Sequence, residues 1–499
     1  MAAVDVRTGR ELPEAVRDFI AGAGVLVIDG EERPRSSDGG VFTTVDPATE
    51  EVLAEIPQAT AEDVAEAIAA AKAAHEDGRW RLLDPGKRAS ALLKVSDALK
   101  RASKDLAWID TLDHGKSLRL STGELIAASN TFRYFAGVVD KPSGVVIPSR
   151  EGRFIYTDRE PVGVCAQIIP WNFPLLMAAW KLAPALAFGN TAVLKPAEQT
   201  PLSALWLVRI LRDAGVPDGV VNLVQGVGEV TGQAMITHPD VDKIAFTGST
   251  EIGRHIARAA ADNLTKVTLE LGGKSPNIVF DDVDLDRVAR RAAFACFYNA
   301  GEVCTAGTRL LVNANVHDEL VSKVTAAAES TKVLPGWFED AGMGPLVSDE
   351  QLQRVSGYVD IAKDEGAELI TGGGRPDGLD AGYFFEPTIF DGVSPGMRIA
   401  QEEVFGPVLA VQTFEDEDEA VALANDVSYG LAAGVWTSDH GRAHRVASKL
   451  QAGTVWVNTW GELDEVASFG GFKDSGIGRE LGPHAVEAYT QPKTVRMAT

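Results

Sequence analysis

Residues 165–196 read CAQIIPWNFPLLMAAWKLAPALAFGNTAVLKP. The apolar run 165–169 has the length of a strand, and the apolar stretch 174–189 has the length of a helix that starts at Pro174 and stops at Gly189. TAVLK, 191–195, reads as a second strand. Two apolar strands joined by a helix form the unit of a parallel sheet, because the helix carries the chain back to begin the next strand in the same direction. The alternation continues downstream through PLSALWLVRILRDAG (201–215, stopped by Gly215 with Pro217 beyond), VVNLV (220–224), GEVTGQAMIT (228–237), VDKIAF (241–246), TEIGRHIARAAADN (250–263) and KVTLEL (266–271).

A second series begins at NIVF, 277–280. It has a helical stretch from 284 to 298, then TRLLVN, VHDELVSKVTAAAEST, LAVQTF, EDEAVALANDV, AAGVWT, HGRAHRVASKL and TVWVN, so a second α/β unit is expected over 273–473. Upstream, residues 63–137 carry apolar positions at three and four residue spacing and read as helices. The β-rich segments 141–159 and 486–499 fit neither unit and could pair as an arm or an edge strand.

Composition agrees with a folded enzyme. The 499 residues exceed one core on a prior of roughly 150 residues per domain. A balance of 47 basic to 71 acidic residues, with no local basic stripe, argues against a nucleic-acid partner. Three cysteines make neither a disulfide framework nor a zinc site, so no metal is expected and a reducing cytoplasm is. The start, MAAVDVRTGRELPEAVRDF, lacks a signal-peptide core, and no run reaches the roughly 18 apolar residues of a membrane span.

Four local patterns carry candidate chemistry. Cys304, in FYNAGEVCTAGTRL, follows an apolar helix and lies among Gly301, Ala306 and Gly307, which would let a carbonyl approach its sulfur. A cysteine alone is more often structural, and that reading is kept for Cys165 and Cys296. Glu270 ends a strand before two glycines, where α/β sheets bind ligands, and suits a general base; the bland alternative is a surface acid paired with Lys274. Asn172, between Trp171 and Phe173, is a candidate oxyanion donor or an N-cap. FTGSTEIG, 246–253, opens a helix with Gly248, Ser249 and Thr250 and would suit a diphosphate; neither it nor GVGEVTG, 226–232, is the G-x-G-x-x-G fingerprint.

Taken together, PWNFP, KPAEQTP, FTGST, ELGGKSP, GEVCTAGTR, EEVFGP and FGGFKDSGIGREL stand in the order of the motifs of the NAD(P)-dependent aldehyde dehydrogenase superfamily, which the chain resembles along nearly its whole length. The resemblance implies an α/β fold of two Rossmann-like parallel-sheet domains plus a β oligomerisation arm. The NAD-binding domain would span 1–140 and 160–272, the catalytic domain 273–473, and the arm 141–159 and 486–499. A homodimer or homotetramer is implied.

The resemblance also implies roles. Cys304 would be the nucleophile, Glu270 the base that activates the deacylating water, and the Asn172 amide with the Cys304 N–H the oxyanion hole. Lys181 and Glu480 would pass protons out with Glu270. Lys195 and Glu198 would hold the adenosine ribose, Ser249 the diphosphate and Glu403 the nicotinamide ribose. Ile168, Pro170, Trp171, Gly228, Gly248, Leu271 and Phe405 would complete the cofactor site. NAD is expected over NADP, because a carboxylate at Glu198 repels a 2′-phosphate.

Phe173, Trp180, Trp460, Leu463 and Phe469 resemble the substrate tunnel, suited to an apolar aldehyde. Glu462, Asp464 and Glu465 near its entrance would instead favour an aminoaldehyde unless they are only solvated. The chain departs from the family at Glu302, where Gln is usual, and at Val303, where a second Cys is common. Pointed inward, Glu302 would raise the thiol pKa; the preferred expectation is that it faces away. A CoA-acylating relative, a non-catalytic NAD-binding protein and a thiol esterase are the rival readings.

Overall fold

The computed structural model describes residues 10–498. Residues 1–9 of the expected 1–140 segment, and residue 499 of the expected 486–499 segment, lie outside the described residues.

The opening stretch forms a strand–helix–strand unit: Val164–Ile168, helix Pro174–Ala187 and Thr191–Lys195. The two strands pair in parallel from Val164↔Thr191 to Ile168↔Lys195. Both are buried at every residue, which is why they read as unbroken apolar runs rather than as alternation. Around them stands an eight-stranded sheet. Its central five strands are parallel, in the order Val221–Leu223, Thr191–Lys195, Val164–Ile168, Lys243–Thr247, Lys266–Glu270. Leu26–Ile28 and Gly476–Ile477 flank these five, each antiparallel to its neighbour.

The segment read as helical contains Ala61–Glu76, Pro85–Arg101, Ser103–His114 and Leu118–Ala136. The first is started by a capping box between Thr60 and Asp63, which satisfies two otherwise orphaned N–H groups.

A seven-stranded sheet holds the second series, in the order Glu368–Thr371, Thr388–Asp391, Val408–Phe414, Arg309–Asn313, Pro276–Val279, Ala432–Trp436, Thr454–Val457. All neighbours are parallel except the first pair.

Thr490–Ala498 pairs antiparallel with Arg153–Pro161 along its whole length, and Val146–Ile147 adds a third strand. The β-rich reading of 141–159 and 486–499 needs correction at both ends. Pro142, Gly144 and Pro148 confine the first extended piece to Val146–Ile147, and the second runs on to Pro161. Residues 486–489 belong to a short helix, Ala485–Tyr489, whose Ala and Glu favour that state and whose Ala485 and Tyr489 are buried. Among the described residues no helix is long and apolar enough to cross a membrane, and no cluster of His, Cys, Asp and Glu could hold a metal ion.

Candidate active site

The site lies between the two sheets, at the C-terminal ends of strands of the first and largely at the N-terminal ends of strands of the second. Pro170 and Trp171, Gly248, and Leu271 follow three strands of the first sheet; Cys304, Phe405 and Leu431 precede three of the second. Together they bound a cavity of ≈ 470 Å³.

Cys304 is placed by an abrupt end to the helix Leu285–Phe297. Asn299, Ala300 and Gly301 all have positive φ, at 50°, 55° and 72°. Three left-handed residues in succession reverse the chain, at a cost of order 1–3 kcal/mol for each non-glycine residue. Gly301 is required, because a Cβ there would lie 2.2 Å from the Gly406 carbonyl oxygen. That contact locks the cysteine turn against the EEVFGP turn. Cys304 is partly exposed at the cavity wall, whereas Cys165 and Cys296 are buried. Its desolvated setting pushes the thiol up to about 12, with Glu403 and Glu270 adding repulsion, so the resting sulfur is protonated.

Asn172 lines the same cavity. The helix after it is capped by Phe173 with no side-chain cap, so Asn172 is not an N-cap. Its Nδ2 donates to the Glu302 carbonyl at 2.9 Å. An amide nitrogen carries two hydrogens, so one remains for a ligand. The Asn172 backbone carbonyl accepts from Lys116 Nζ at 2.6 Å.

Glu270 is the last residue of its strand and 3% exposed. Neither carboxylate oxygen has a hydrogen-bond partner among the described residues. Burial, then repulsion from Glu480, holds its pKa well above the usual carboxylate range, opposed by Lys181 and Arg479. Lys274 is itself buried, and its ammonium pKa is pushed down to about 7 by burial and by Arg309, so the surface-pair reading of Glu270 does not apply. Lys181 Nζ lies 2.5 Å from Glu480 Oε1 and donates to Thr247 Oγ1 at 2.8 Å. Glu480 lines the cavity, while Lys181 stands behind it.

Glu302 turns away from the sulfur, though not to solvent. Fully buried, it accepts at Oε1 from the Val347 N–H at 3.0 Å, and its Oε2 lies 3.4 Å from His114 Nε2. Burial raises the carboxyl pKa and lowers that of the imidazole, in each case favouring the uncharged form.

Of the expected cofactor residues, Pro170, Trp171, Gly248, Ser249, Leu271, Glu403 and Phe405 line the cavity; Ile168, Lys195, Glu198 and Gly228 lie beyond its wall. These residues fit a dinucleotide. Ser249 caps the 14-residue helix Thr250–Asn263, whose free N–H groups favour an anion. Glu403 Oε1 accepts from the Gly273 N–H at 2.9 Å, and a Cβ on Gly272 would lie 2.3 Å from Glu403 Oε2. Lys195 is 3.6 Å from Glu198, a paired cation and carboxylate suited to hydroxyls. Trp171 meets Phe405 edge to face at 5.1 Å and forms an apolar wall for a flat ring.

All five expected tunnel residues, Phe173, Trp180, Trp460, Leu463 and Phe469, line the cavity. Of the loop acids, Glu462 and Asp464 are exposed and Glu465 half-buried, and none lines it. Sequence reasoning missed Glu124, Tyr298, Gln351 and Arg354, which also line it. Arg354 Nη2 donates to the Glu403 carbonyl at 2.7 Å and Gln351 Nε2 to the Phe405 carbonyl at 2.6 Å, fixing the EEVFGP turn. Glu124 had a legible signal: it shares a helical stripe with Ala128 and Phe132, both buried, where a solvated acid is out of place.

Residues 35–495 match the sequence profile of the aldehyde dehydrogenase family. An aldehyde dehydrogenase of Aspergillus niger is 48% identical over 94% of this chain and 94% of its own length. The NAD+ complex of an aldehyde dehydrogenase from Bacillus cereus superposes with a TM-score of 0.96 at 44% identity, covering 98% of this chain and 99% of that one. A betaine aldehyde dehydrogenase from Staphylococcus aureus in complex with NAD+ gives a TM-score of 0.96 at 41% identity, covering 97% of each chain.

Proposed function

The chain belongs to the aldehyde dehydrogenase family and oxidises an aldehyde to its carboxylic acid with NAD, and on that premise we propose the roles of its residues. The observation that carries the assignment is the convergence of Cys304, Asn172 and Glu270 on one cavity from three separate segments.

Cys304 Sγ gives its proton to solvent water and bonds to the aldehyde carbon, and the C=O π pair moves onto the carbonyl oxygen, which takes the negative charge. The free hydrogen of Asn172 Nδ2 and the Cys304 backbone N–H receive that oxyanion; the amide is already oriented by its bond to the Glu302 backbone carbonyl, so little reorganisation is needed. NAD, when bound, supplies the acceptor for the substrate's hydride. Cys304 is then acylated as a thioester. Glu270 takes a proton from water, the hydroxyl adds to the thioester carbon, the C–S bond breaks, and the carboxylic acid departs, leaving Cys304 as the thiolate for the next turnover. The buried pair Lys181 and Glu480 beside Glu270 provides the next stations for that proton.

NADH formation from aldehydes tests the reading. Asn172→Ala is expected to lower kcat about 10²–10³-fold, the usual cost of one oxyanion donor; a loss below threefold would remove Asn172 from the oxyanion hole. Glu198 supports a preference for NAD over NADP, and Glu198→Ser is expected to raise NADP use relative to NAD by about tenfold or more, read from kcat/KM with each cofactor.

The mainly aromatic and aliphatic tunnel supports an aldehyde with an apolar body over a cationic aminoaldehyde, since the loop acids lie off its wall. The part-exposed strand 153–161 and the mainly exposed strand 490–498 support a homodimer or homotetramer built through this arm, which the mass in solution checks. Three unpaired cysteines support a reducing, cytoplasmic setting, checked by cell fractionation.

A further inference from the structure

Five carboxylates line the cavity: Glu124, Glu270, Glu350, Glu403 and Glu480. Glu270, Glu403 and Glu480 are taken up by the reaction and the cofactor, and Glu350 is an exposed residue of the first turn of the helix Asp349–Asp364. Glu124 has no such role. It is 5% exposed, on the helix Leu118–Ala136, and shares the cavity wall with Phe173 and Tyr298.

The two oxygens of Glu124 differ. Oε2 accepts from Lys116 Nζ at 2.7 Å, whereas Oε1 is buried with no hydrogen-bond partner among the described residues. Lys116 is fully buried as well, over the Phe173 ring at 4.7 Å. A buried acceptor left unsatisfied is costly, and in a substrate tunnel the group that relieves it belongs to the substrate. The charge of Lys116 decides which kind of group that is. A cation at Oε1 would meet the ammonium beside Oε2 as well as the carboxylate, so the pair presents little net field; a hydroxyl needs only the lone pair.

Resting on the aldehyde-oxidation reading above, we infer that Glu124 Oε1 is the receiving point for an uncharged hydrogen-bond donor on the aldehyde, so that the enzyme selects hydroxyaldehydes with an otherwise apolar body.

The test compares kcat/KM for ω-hydroxyalkanals, n-alkanals of equal length and ω-aminoalkanals, with NAD, in wild type and two variants. In Glu124→Gln, Lys116 claims the amide oxygen and an NH2 replaces the free acceptor at nearly constant volume. In the Lys116→Met/Glu124→Leu double variant the ion pair is replaced by apolar side chains of similar size, which keeps the fold where a lone buried charge would not. The hydroxy-to-alkyl ratio is expected to fall about five- to tenfold in both variants. An unchanged ratio, with NADH still formed from every aldehyde, overturns the Glu124 assignment alone. A Glu124-dependent preference confined to the amino series overturns the uncharged-donor assignment. No NADH from any aldehyde in the wild type overturns the oxidation reading and this inference with it.

Discussion

Cys304→Ala is expected to abolish NADH formation from every aldehyde, a loss on the order of 10⁴-fold or more, while NAD still binds. Among the described residues Cys304 is the only cysteine at the cavity wall, since Cys165 and Cys296 are buried in strand and helix. Removing Sγ leaves the oxyanion donors with nothing to stabilise, so no partial mechanism survives. Fluorescence titration with NAD separates lost chemistry from lost fold. Turnover surviving the substitution would sink the covalent route.

Glu270→Gln is expected to split the reaction in two. The first turnover still yields NADH as a burst, because forming the thioester does not need a base for water, but the steady rate falls about 10²–10⁴-fold as the acyl group remains on Cys304. Rapid mixing reads the burst and mass spectrometry the acyl adduct. In the wild type the sign of the pH dependence follows from the raised pKa of Glu270: only the ionised carboxylate accepts the proton, so deacylation increases with pH across a range where an ordinary glutamate would already be fully ionised. That limb is expected to vanish in Glu270→Gln. A steady rate equal to wild type, or a pH limb kept without Glu270, would assign the base elsewhere.

Much of this was legible in residue order. The strand–helix–strand rhythm from 164 to 195 is written in apolar runs that can be satisfied only by burial on both faces, and stops such as Gly189, at φ 84°, punctuate it. Cys304 and Glu270 stood out because each sets a reactive side chain beside small residues, and Asn172 because an amide stands between the bulky Trp171 and Phe173. The helix Ala485–Tyr489 was missed because one short turn has too few residues for period 3.6 to outweigh its β-formers, and its burial comes from contacts distant in sequence.

Local sequence thus determined which elements form and which side chains are chemically suitable, because periodicity, turn residues and side-chain chemistry act within a few residues. The direction of each side chain was decided by the tertiary structure. Glu302 sits two residues from Cys304, yet its carboxyl turns to His114 and Val347, away from the sulfur. Glu124, on a helix far away in sequence, reaches the tunnel with one oxygen unpaired. Charge state follows burial and neighbours across the fold, so the protonated Cys304 and the raised Glu270 exist only once the two sheets close on each other.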